Sequence, residues 1–594
     1  MGEDFQSDQD FALGAEDFAS QRDYQLHCLR HSTSHIMAAA VQQMFPDVKF
    51  GIGPPIKNGF YYDMQLPRPL TPDDLVEIER RMREITREGR EFHRETWNKE
   101  KALEFFGSRN QDFKIELING IPGETVSTYA IGDFIDLCAG PHVRRTAECK
   151  HFKLTSIAGA YWRGNERNPM LQRIYGTVWP TKEELDEYLH NIEEAKRRDH
   201  RKLGRELDLF MTHEWAPGAP FWLPKGTVIY HTLQETIRRM LAQNGYVEVK
   251  APLLFSENLF KTSGHWAHYK ENMFIVHEDE QDFALKPMNC PGHMLIFGSK
   301  RRSYRELPLR LSEHSVLHRN ERAGVLAGLT RVRQFQQDDA HLFITEDQIG
   351  EEVNRLLALV ARVYQAFGMS YRFTLSVRGD DPSKYMGDPA VWDQAEKLLA
   401  EALEANNLEY TVEKGEANFY GPKIDQLVQD SLKREHQLGT IQLDFQLPRN
   451  FGLTYVNEHN AESIPVVIHR AIYGSLERFI GILIEHYAGA FPIWLAPVQA
   501  RVLSISEKTA GYAREVYTRL AAEGIRAELD ARDDKIGAKI RDAQLEKLPY
   551  MLVTGAKEAE SGAVAVRSRE KGDEGPVPLA EFIDRIKSEA SFDY

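Results

Sequence analysis

Between Leu311 and Phe343 the chain reads LSEHSVLHRNERAGVLAGLTRVRQFQQDDAHLF, and this stretch constrains the fold more than any other. It predicts two strands joined by a loop. On the first strand Arg319 and Glu321 are two residues apart, so both side chains leave the same face. The middle, AGVLAGL, is small and glycine-containing, as a turn or flexible loop needs. On the return strand Arg331 and Arg333 alternate with an apolar residue, and Gln337, Asp339 and His341 continue that alternation. Cation, carboxylate, amide and imidazole thus share one sheet surface. A strand pair facing plain solvent alternates in the same way, so the hairpin alone leaves the role of that surface open.

At 594 residues and 68.2 kDa the chain is too long for one core and implies roughly three or four domains. No apolar run reaches the length of a membrane span. The opening MGEDFQSDQDFALGAEDFAS is acidic and lacks the basic-then-apolar order of an export signal. Cys28, Cys138, Cys149 and Cys290 are scattered and make no disulfide framework, which points to a reducing cytoplasm. The net charge of −15 argues against a general nucleic-acid coat, although a local basic patch can act under an acidic total.

Residues 1–22 read as a mobile acidic tail. Residues 23–180 are mixed α+β. There LRHSTSHIMAAAVQQMF has helical period, which places His31 and His35 on one face. Farther on, GDFIDLCAGPH holds Asp136, Cys138 and His142. GIGPPIKNG begins like a dinucleotide loop but carries Pro54, Pro55 and Ile56 where that loop continues to its third glycine, so it is rejected as a phosphate cradle. Residues 181–210 read as one long helix, with Thr181 and Glu184 in a capping-box pattern. It ends in the basic run KRRDHRKLGR, which is either a solvated face or a connector touching a nucleic-acid backbone.

Residues 211–495 form the largest domain. It holds the strand GYVEVKAPLL, the segments TSGHWAHY and LKPMNCPGHM, the opening hairpin, a helix over 349–367, and strands in FYGPKIDQLV and HQLGTIQLDFQL. SIPVVIHRAIYGSLERFIGILIEHYAG follows as a buried strand, a Gly-Ser turn and a buried helix, with Arg478 in the first helical turn. Residues 496–594 alternate strand and helix as a small α/β domain.

His31, His35, Cys138 and His142 admit three readings. They are a permitted zinc ligand set. They could equally line a metal-free hydrolytic pocket with imidazoles as proton carriers. The helical histidine pair could also be an ordinary surface pair.

The Pro252 strand, the Arg319/Glu321 hairpin and the Gly474–Arg478 turn together resemble the three signatures of class II aminoacyl-tRNA synthetases. With HSTSH, CAGPH, MNCPGH, HRNE, RQFQQDDAH, FYGPK and IHRAIYGSLERF in that order, nearly all of the chain after residue 22 is similar to threonyl-tRNA synthetases of bacterial type. The resemblance implies an α+β multidomain protein. Its parts would be a class II antiparallel-sheet catalytic core, an α+β N-terminal editing domain and a C-terminal α/β anticodon-binding domain. That family commonly carries a small ubiquitin-like domain ahead of the editing domain. Here only the acidic stretch stands there, and the tRNA contacts of that domain are not carried over.

The family joins L-threonine and ATP into threonyl-adenylate, then moves the acyl group to the terminal ribose of tRNA(Thr). By resemblance, Arg319 takes the α-phosphate and Arg478 the γ-phosphate, where fixed guanidiniums offset the repulsion between a carboxylate and a polyphosphate. Glu321 accepts from the adenine amino group, and Mg2+ accompanies the ATP phosphates. The chain has no GxxxxGK[ST] loop, and the absence of HIGH and KMSKS argues against a class I enzyme. Cys290, His341 and His469 match the family's zinc ligands. This thiolate and two imidazoles leave a fourth position for the substrate's amino group and hydroxyl. Gln337 and Asp339 would help hold the amino acid. His265 matches a histidine near the terminal ribose, where it would accept a proton. Arg331, Tyr420, Lys423, Gln437, Thr440 and Gln442 match residues lining the same pocket, and the loop 323–329 would meet the acceptor end.

A site built on a hydroxyl partner rejects valine by roughly 10⁴ or more, but serine lacks only a methyl, worth roughly 10–200-fold. Serine therefore has to be removed after charging. The resemblance assigns that hydrolysis to His31, His35, Cys138 and His142, with Lys114 and Asp136, in a metal-free pocket. Arg532, Lys535, Arg541, Glu560, Arg567 and Arg569 are the anticodon candidates. A homodimer through the first-signature region and a cytoplasmic location are also implied, with no membrane partner. The rival reading is a non-catalytic RNA-binding regulator of synthetase fold, against which the intact arginines and zinc ligands speak. A chain that charges without editing is the other rival, against which all four pocket residues are present.

Overall fold

The computed structural model describes residues 15–18, 20–278 and 280–592. Most of the predicted acidic tail, residues 1–14, lies outside the described residues. Its end is not tail: Gln21 and Arg22 already belong to the helix Gln21–Met44, which Ser20 caps by accepting the Asp23 N–H at 3.1 Å. The chain divides into two compact units, Met1–Glu193 and Glu194–Tyr594.

In the first unit, Gly59–Gln65 pairs antiparallel with Met170–Trp179, which pairs with His151–Tyr161. The helices Gln21–Met44 and Pro72–Glu88 contribute to its core: Ile36, Met37 and Val41 cluster with Ile78, Met82, Phe60, Tyr62 and Ile174. The polar run between His31 and His35 is buried with its hydroxyls satisfied. Thr33 Oγ1 donates to the Leu29 carbonyl at 2.7 Å and Ser34 Oγ to the Gly53 carbonyl at 2.7 Å. The rejected phosphate loop is a hairpin, Pro55–Ile56 against Gly59 and Phe60. A second sheet joins His93–Asn98, Thr125–Ile131 and Phe134–Leu137.

The predicted helix over 181–210 is two helices, Lys182–Arg198 and His200–Glu206. The break is chemical: Asp199 leaves helical geometry and its carboxylate accepts the Arg201 N–H at 2.8 Å, starting a new helix.

The second unit is built on an eight-stranded sheet. Its order is Tyr246–Glu248, Leu309–Glu313, Asp339–Ile344, Val466–Ala471, Glu435–Asp444, Lys423–Gln429, Ser370–Val377 and Tyr410–Lys414. The six central strands are antiparallel, and each edge strand joins in parallel. Alternation assigns the faces. Leu342, Ile468, Ile441, Leu443 and Ile424 point to one side and pack with Val353, Leu356 and Leu399 of the helices Ile349–Ala366 and Pro389–Ala405. Residues of the opposite parity make the other face, and that face carries the site.

Two strands differ from expectation. GYVEVKAPLL joins the large sheet over Tyr246–Glu248, the Ala251 N–H is taken by Glu313 at 2.8 Å, and Leu254 pairs instead with Leu285 of a separate small sheet. The opening hairpin is two ladders: Leu309–Glu313 with Asp339–Ile344, then Val316–His318 with Gln334–Gln336. Arg319 and Glu321 follow the second ladder and are not in a strand. The interruption arises at Asp338, whose buried carboxylate accepts the Ile472 N–H at 2.9 Å and the Gly474 N–H at 3.0 Å. Burial pushes that carboxyl up to about 7, against the opposing pull of Arg470.

The C-terminal sheet runs Ala527–Asp530, Ala500–Ser504, Tyr550–Thr554, Ala563–Ser568 and Gly572–Pro578, with the helices Ala510–Ala522, Ile536–Leu545 and Leu579–Glu589. Among the described residues no helix is long and apolar enough to cross a membrane.

Candidate active site

The polar face of the large sheet gathers residues distant in sequence by register. His341 lies opposite His469, and His469 opposite Gln442, which lies opposite Lys423. Facing partners share a side, so all four converge. Strict alternation from Gln442 and Thr440 would send Gln437 to the other face. A bulge prevents this: Thr440 opposes Asp425 and Gln437 opposes Leu427, so one strand spends three residues where its partner spends two.

Cys290 opens the helix Cys290–Gly298, and its sulfur with one ring nitrogen each of His341 and His469 lie within 4.8 Å of one another. The surrounding hydrogen bonds select the tautomers. His293 Nε2 donates to Glu313 at 3.0 Å, which leaves His293 Nδ1 to accept from His341 Nδ1 at 2.8 Å. His469 Nε2 donates to Asp444 at 2.9 Å. The lone pairs therefore sit on His341 Nε2 and His469 Nδ1, two buried atoms with no hydrogen-bond partner among the described residues. Ring nitrogens bared by orienting partners, beside a thiol, are the donor set a tetrahedral zinc ion takes. Burial, with Asp339 and Asp444 close by, pushes the Cys290 thiol up, so an incoming cation would have to drive its deprotonation.

Around this cluster Asn289 donates to Asp339 at 3.0 Å, and Tyr420 stacks on His469 with centroids 4.9 Å apart. Tyr420 and Asn418 both donate to Gln442 Oε1, and Gln442 Nε2 donates to Thr440 at 3.1 Å. Lys423 is paired with Asp425 at 2.5 Å. His265 is buried, with Nδ1 at 2.8 Å from Ser263 Oγ and Nε2 at 3.3 Å from the Met288 sulfur. Burial and the nearby His469 hold its imidazole down to about 3, so it is neutral at physiological pH.

The guanidinium of Arg319 lies over the Phe335 ring, 4.9 Å from its centroid. Glu321 accepts from Arg331 at 2.9 Å across the loop. Arg478 stands in the first turn of Leu476–His486, where Ser475 caps its N–H at 3.3 Å. Its Nε has no partner among the described residues, and burial with Arg331 nearby pulls the guanidinium below its usual value. A partly buried, unpaired cation is poised for an anion. Gln337 bridges to Ser475 at the start of the same turn.

The first unit holds a second constellation. Cys138 Sγ lies 3.3 Å from His31 Nε2 and 3.1 Å from His142 Nε2, and the rings of His35 and His142 are 4.6 Å apart. Behind them Lys114 meets Asp136 at 2.6 Å, and Tyr62 donates to Asp136. His35 Nε2 approaches the same carboxylate at 3.8 Å. Burial pushes His35 down to about 4 and His31 and His142 well below the ordinary imidazole range. These bases are neutral at pH 7 beside a buried ammonium–carboxylate pair. Their ligand atoms also lie within 4.8 Å of one another.

Three segments match family models: residues 270–487 the tRNA synthetase class II core domain (G, H, P, S and T), residues 499–589 the anticodon binding domain, and residues 126–175 the threonyl and alanyl tRNA synthetase second additional domain. A threonine–tRNA ligase of Acetivibrio thermocellus is 53% identical over 558 residues, 94% of this chain and 87% of its own length. The chain belongs to the threonine–tRNA ligase family. Another member, from Syntrophomonas wolfei, is 50% identical across 98% of this chain and 91% of its own. The crystal structure of the RNA binding domain of threonyl-tRNA synthetase from Cryptosporidium parvum aligns with a TM-score of 0.65 at 44% identity. It covers 67% of this chain and 99% of that one.

Against this family background the C-terminal candidates separate. Lys535, Arg541 and Glu560 are exposed. Arg532 is engaged by Asp530 at 2.7 Å and Asp542 at 2.9 Å, and Arg567 by Asp573 at 3.1 Å. Arg569 donates to the backbone carbonyls of Lys547 and Phe491 at 2.8 and 2.9 Å, tying the C-terminal domain to the end of the core. Sequence reasoning missed the orienting residues His293, Glu313 and Asp444 and the phenol of Tyr62. Only His293 carried a signal, three residues after Cys290 on one helix.

Proposed function

We infer that this chain activates threonine with ATP, transfers it to tRNA(Thr), and hydrolyses seryl-tRNA(Thr) in its first unit. The observation that carries the reading is the meeting of Cys290, His341 and His469, where each imidazole keeps one buried nitrogen without a hydrogen-bond partner among the described residues. Those three residues would hold a zinc ion, which when bound supplies a Lewis-acid partner for an amino group and a hydroxyl. This chain's own residues do the remainder. Asp339 and Gln337 orient the amino acid beside the metal cluster. Arg319 and Arg478 neutralise phosphate charge as the threonine carboxylate attacks, with Mg2+ accompanying the ATP. Glu321, positioned by Arg331, accepts from the adenine. Neutral His265 is the base near the terminal ribose, and Gln442, fixed by Tyr420 and Asn418, lines the pocket with Lys423, Gln437 and Thr440.

In the first unit the neutral imidazoles of His31, His35 and His142, with Cys138, serve as proton carriers, and Lys114 and Asp136 fix the pocket's polarity. Residues 23–180 act as the editing domain, 181–210 as the connector, 211–495 as the catalytic domain and 496–594 as the anticodon domain, working as a cytoplasmic homodimer. Lys535, Arg541 and Glu560 are the candidates best placed for anticodon bases. ATP–pyrophosphate exchange with threonine, serine and valine side by side, on protein of known metal content, tests the reading. Exchange is expected with threonine, weakly with serine and not with valine. Absence of threonine-dependent exchange in metal-loaded protein refutes it.

A further inference from the structure

His200 is buried, belongs to neither pocket, and bonds two other segments at once. Its Nδ1 lies 2.7 Å from Glu485 Oε1, and its own N–H also donates to that oxygen at 3.1 Å. Its Nε2 accepts the Leu329 N–H at 3.0 Å. A carboxylate on one nitrogen and an amide N–H on the other leave a single arrangement: Nδ1 protonated, Nε2 bare. Glu485 ends the helix that begins beside Arg478, and Arg434 holds its second oxygen. Leu329 closes the loop between Glu321 and Arg331.

The packing around the ring is cut to fit. A Cβ on Gly328 would stand 2.1 Å from His200 Nε2, and Gly328 has φ +52. A Cβ on Gly481 would lie 3.1 Å from Leu329 Cβ and 3.7 Å from the His200 ring. Beyond Leu329 the chain turns back at once: Ala327 and Arg331 exchange backbone hydrogen bonds at 3.1 and 3.3 Å, and Arg331 then pairs with Glu321. An anchor on Leu329 therefore fixes the turn that aims Arg331 and Glu321.

We propose that His200 is a positioning residue for the ATP site, holding the loop that carries Arg331 and Glu321 through the bond between its Nε2 and the Leu329 N–H. This rests on the ligase reading, and the two fail separately. Loss of the ligase reading shows in the parent protein, whereas loss of this proposal shows only in variants.

Two substitutions split the imidazole's functions. His200→Asn places an amide where Nδ1 stood and keeps Glu485 while giving up Leu329. His200→Gln places an amide oxygen near the Nε2 position and keeps Leu329. In threonine-dependent exchange, His200→Asn should raise the KM for ATP about tenfold with kcat changed less than threefold. His200→Gln should stay within about twofold of the parent on both. Gly328→Ala, which leaves His200 in place but pushes the loop away from it, should raise the ATP KM as His200→Asn does and gives the reading should His200→Asn not fold. The proposal is overturned if His200→Gln is as impaired as His200→Asn, or if Gly328→Ala leaves the ATP KM unchanged.

Discussion

Replacing His293 by leucine should strip the Cys290–His341–His469 cluster of most of its zinc affinity while the fold stands. His293 is fully buried and is the acceptor that keeps the proton on His341 Nδ1. Leucine is also apolar and of comparable bulk, so the space stays filled. Glu313 Oε1 keeps Lys286 at 2.9 Å and the Ala251 N–H at 2.8 Å, while its Oε2 gives up the bond from His293. The loss falls on that oxygen and on His341, whose buried N–H loses its partner at a cost of about 1–3 kcal/mol. Orienting partners of metal-bound histidines are worth roughly 10–100-fold in affinity, or ~1.4–2.8 kcal/mol. Zinc Kd measured by chelator competition should therefore rise about 10–100-fold, in a variant whose circular dichroism spectrum matches the parent's. A well-folded variant with an unchanged zinc Kd would show that the Glu313–His293–His341 chain does not set the ligand's tautomer.

Changing His31 and His35 together to alanine should leave threonine-dependent exchange intact and allow seryl-tRNA to accumulate; a fall in exchange would contradict the division of labour. Arg478→Gln should lower the exchange rate by roughly 10²–10³ if its charge acts on the reacting phosphates; a rate within tenfold of the parent would exclude that role. The folded-state value of His35 is depressed, so between about 6.5 and about 4 the unfolded chain binds a proton that the folded one does not. Stability is then full above 6.5 and lost as pH falls, by about 3 kcal/mol for this residue alone. Denaturant melts of the His35→Gln variant should lose part of that acid sensitivity, and identical pH curves for variant and parent would rule it out.

The strands HQLGTIQLDFQL and SIPVVIHRA were legible because a sheet buried on one side leaves its period in the sequence, and the helix over 349–367 because an amphipathic helix does the same. What periodicity missed was local chemistry that overrides it. The bulge opposite Asp425 and Leu427 returns Gln437 to the face its parity denies it. Asp199 divides a helix whose charges look continuous, by offering the backbone a better partner than the next turn. Arg319 and Glu321 share a region, but a loop sets their geometry, because Asp338 turns inward and ends the ladder. The cluster of Cys290, His341 and His469 assembles from a helix start and two paired strands far apart in sequence, so residue types without a family resemblance could not have joined them. Glu313 and Asp444 were invisible for the further reason that orienting residues on other strands have no spacing rule relative to what they orient.

The unit Met1–Glu193 contains its own sheets and its own core. The strand carrying His469 ends at Ala471, about 280 residues later. At roughly 5–20 residues per second of synthesis, a nascent chain emerging from the ribosome spends about 15–60 s with every residue of its corrective chamber made and its charging chamber still unborn. The order of translation thus guards the product: no newly made molecule can load an amino acid before it is equipped to take a wrong one off.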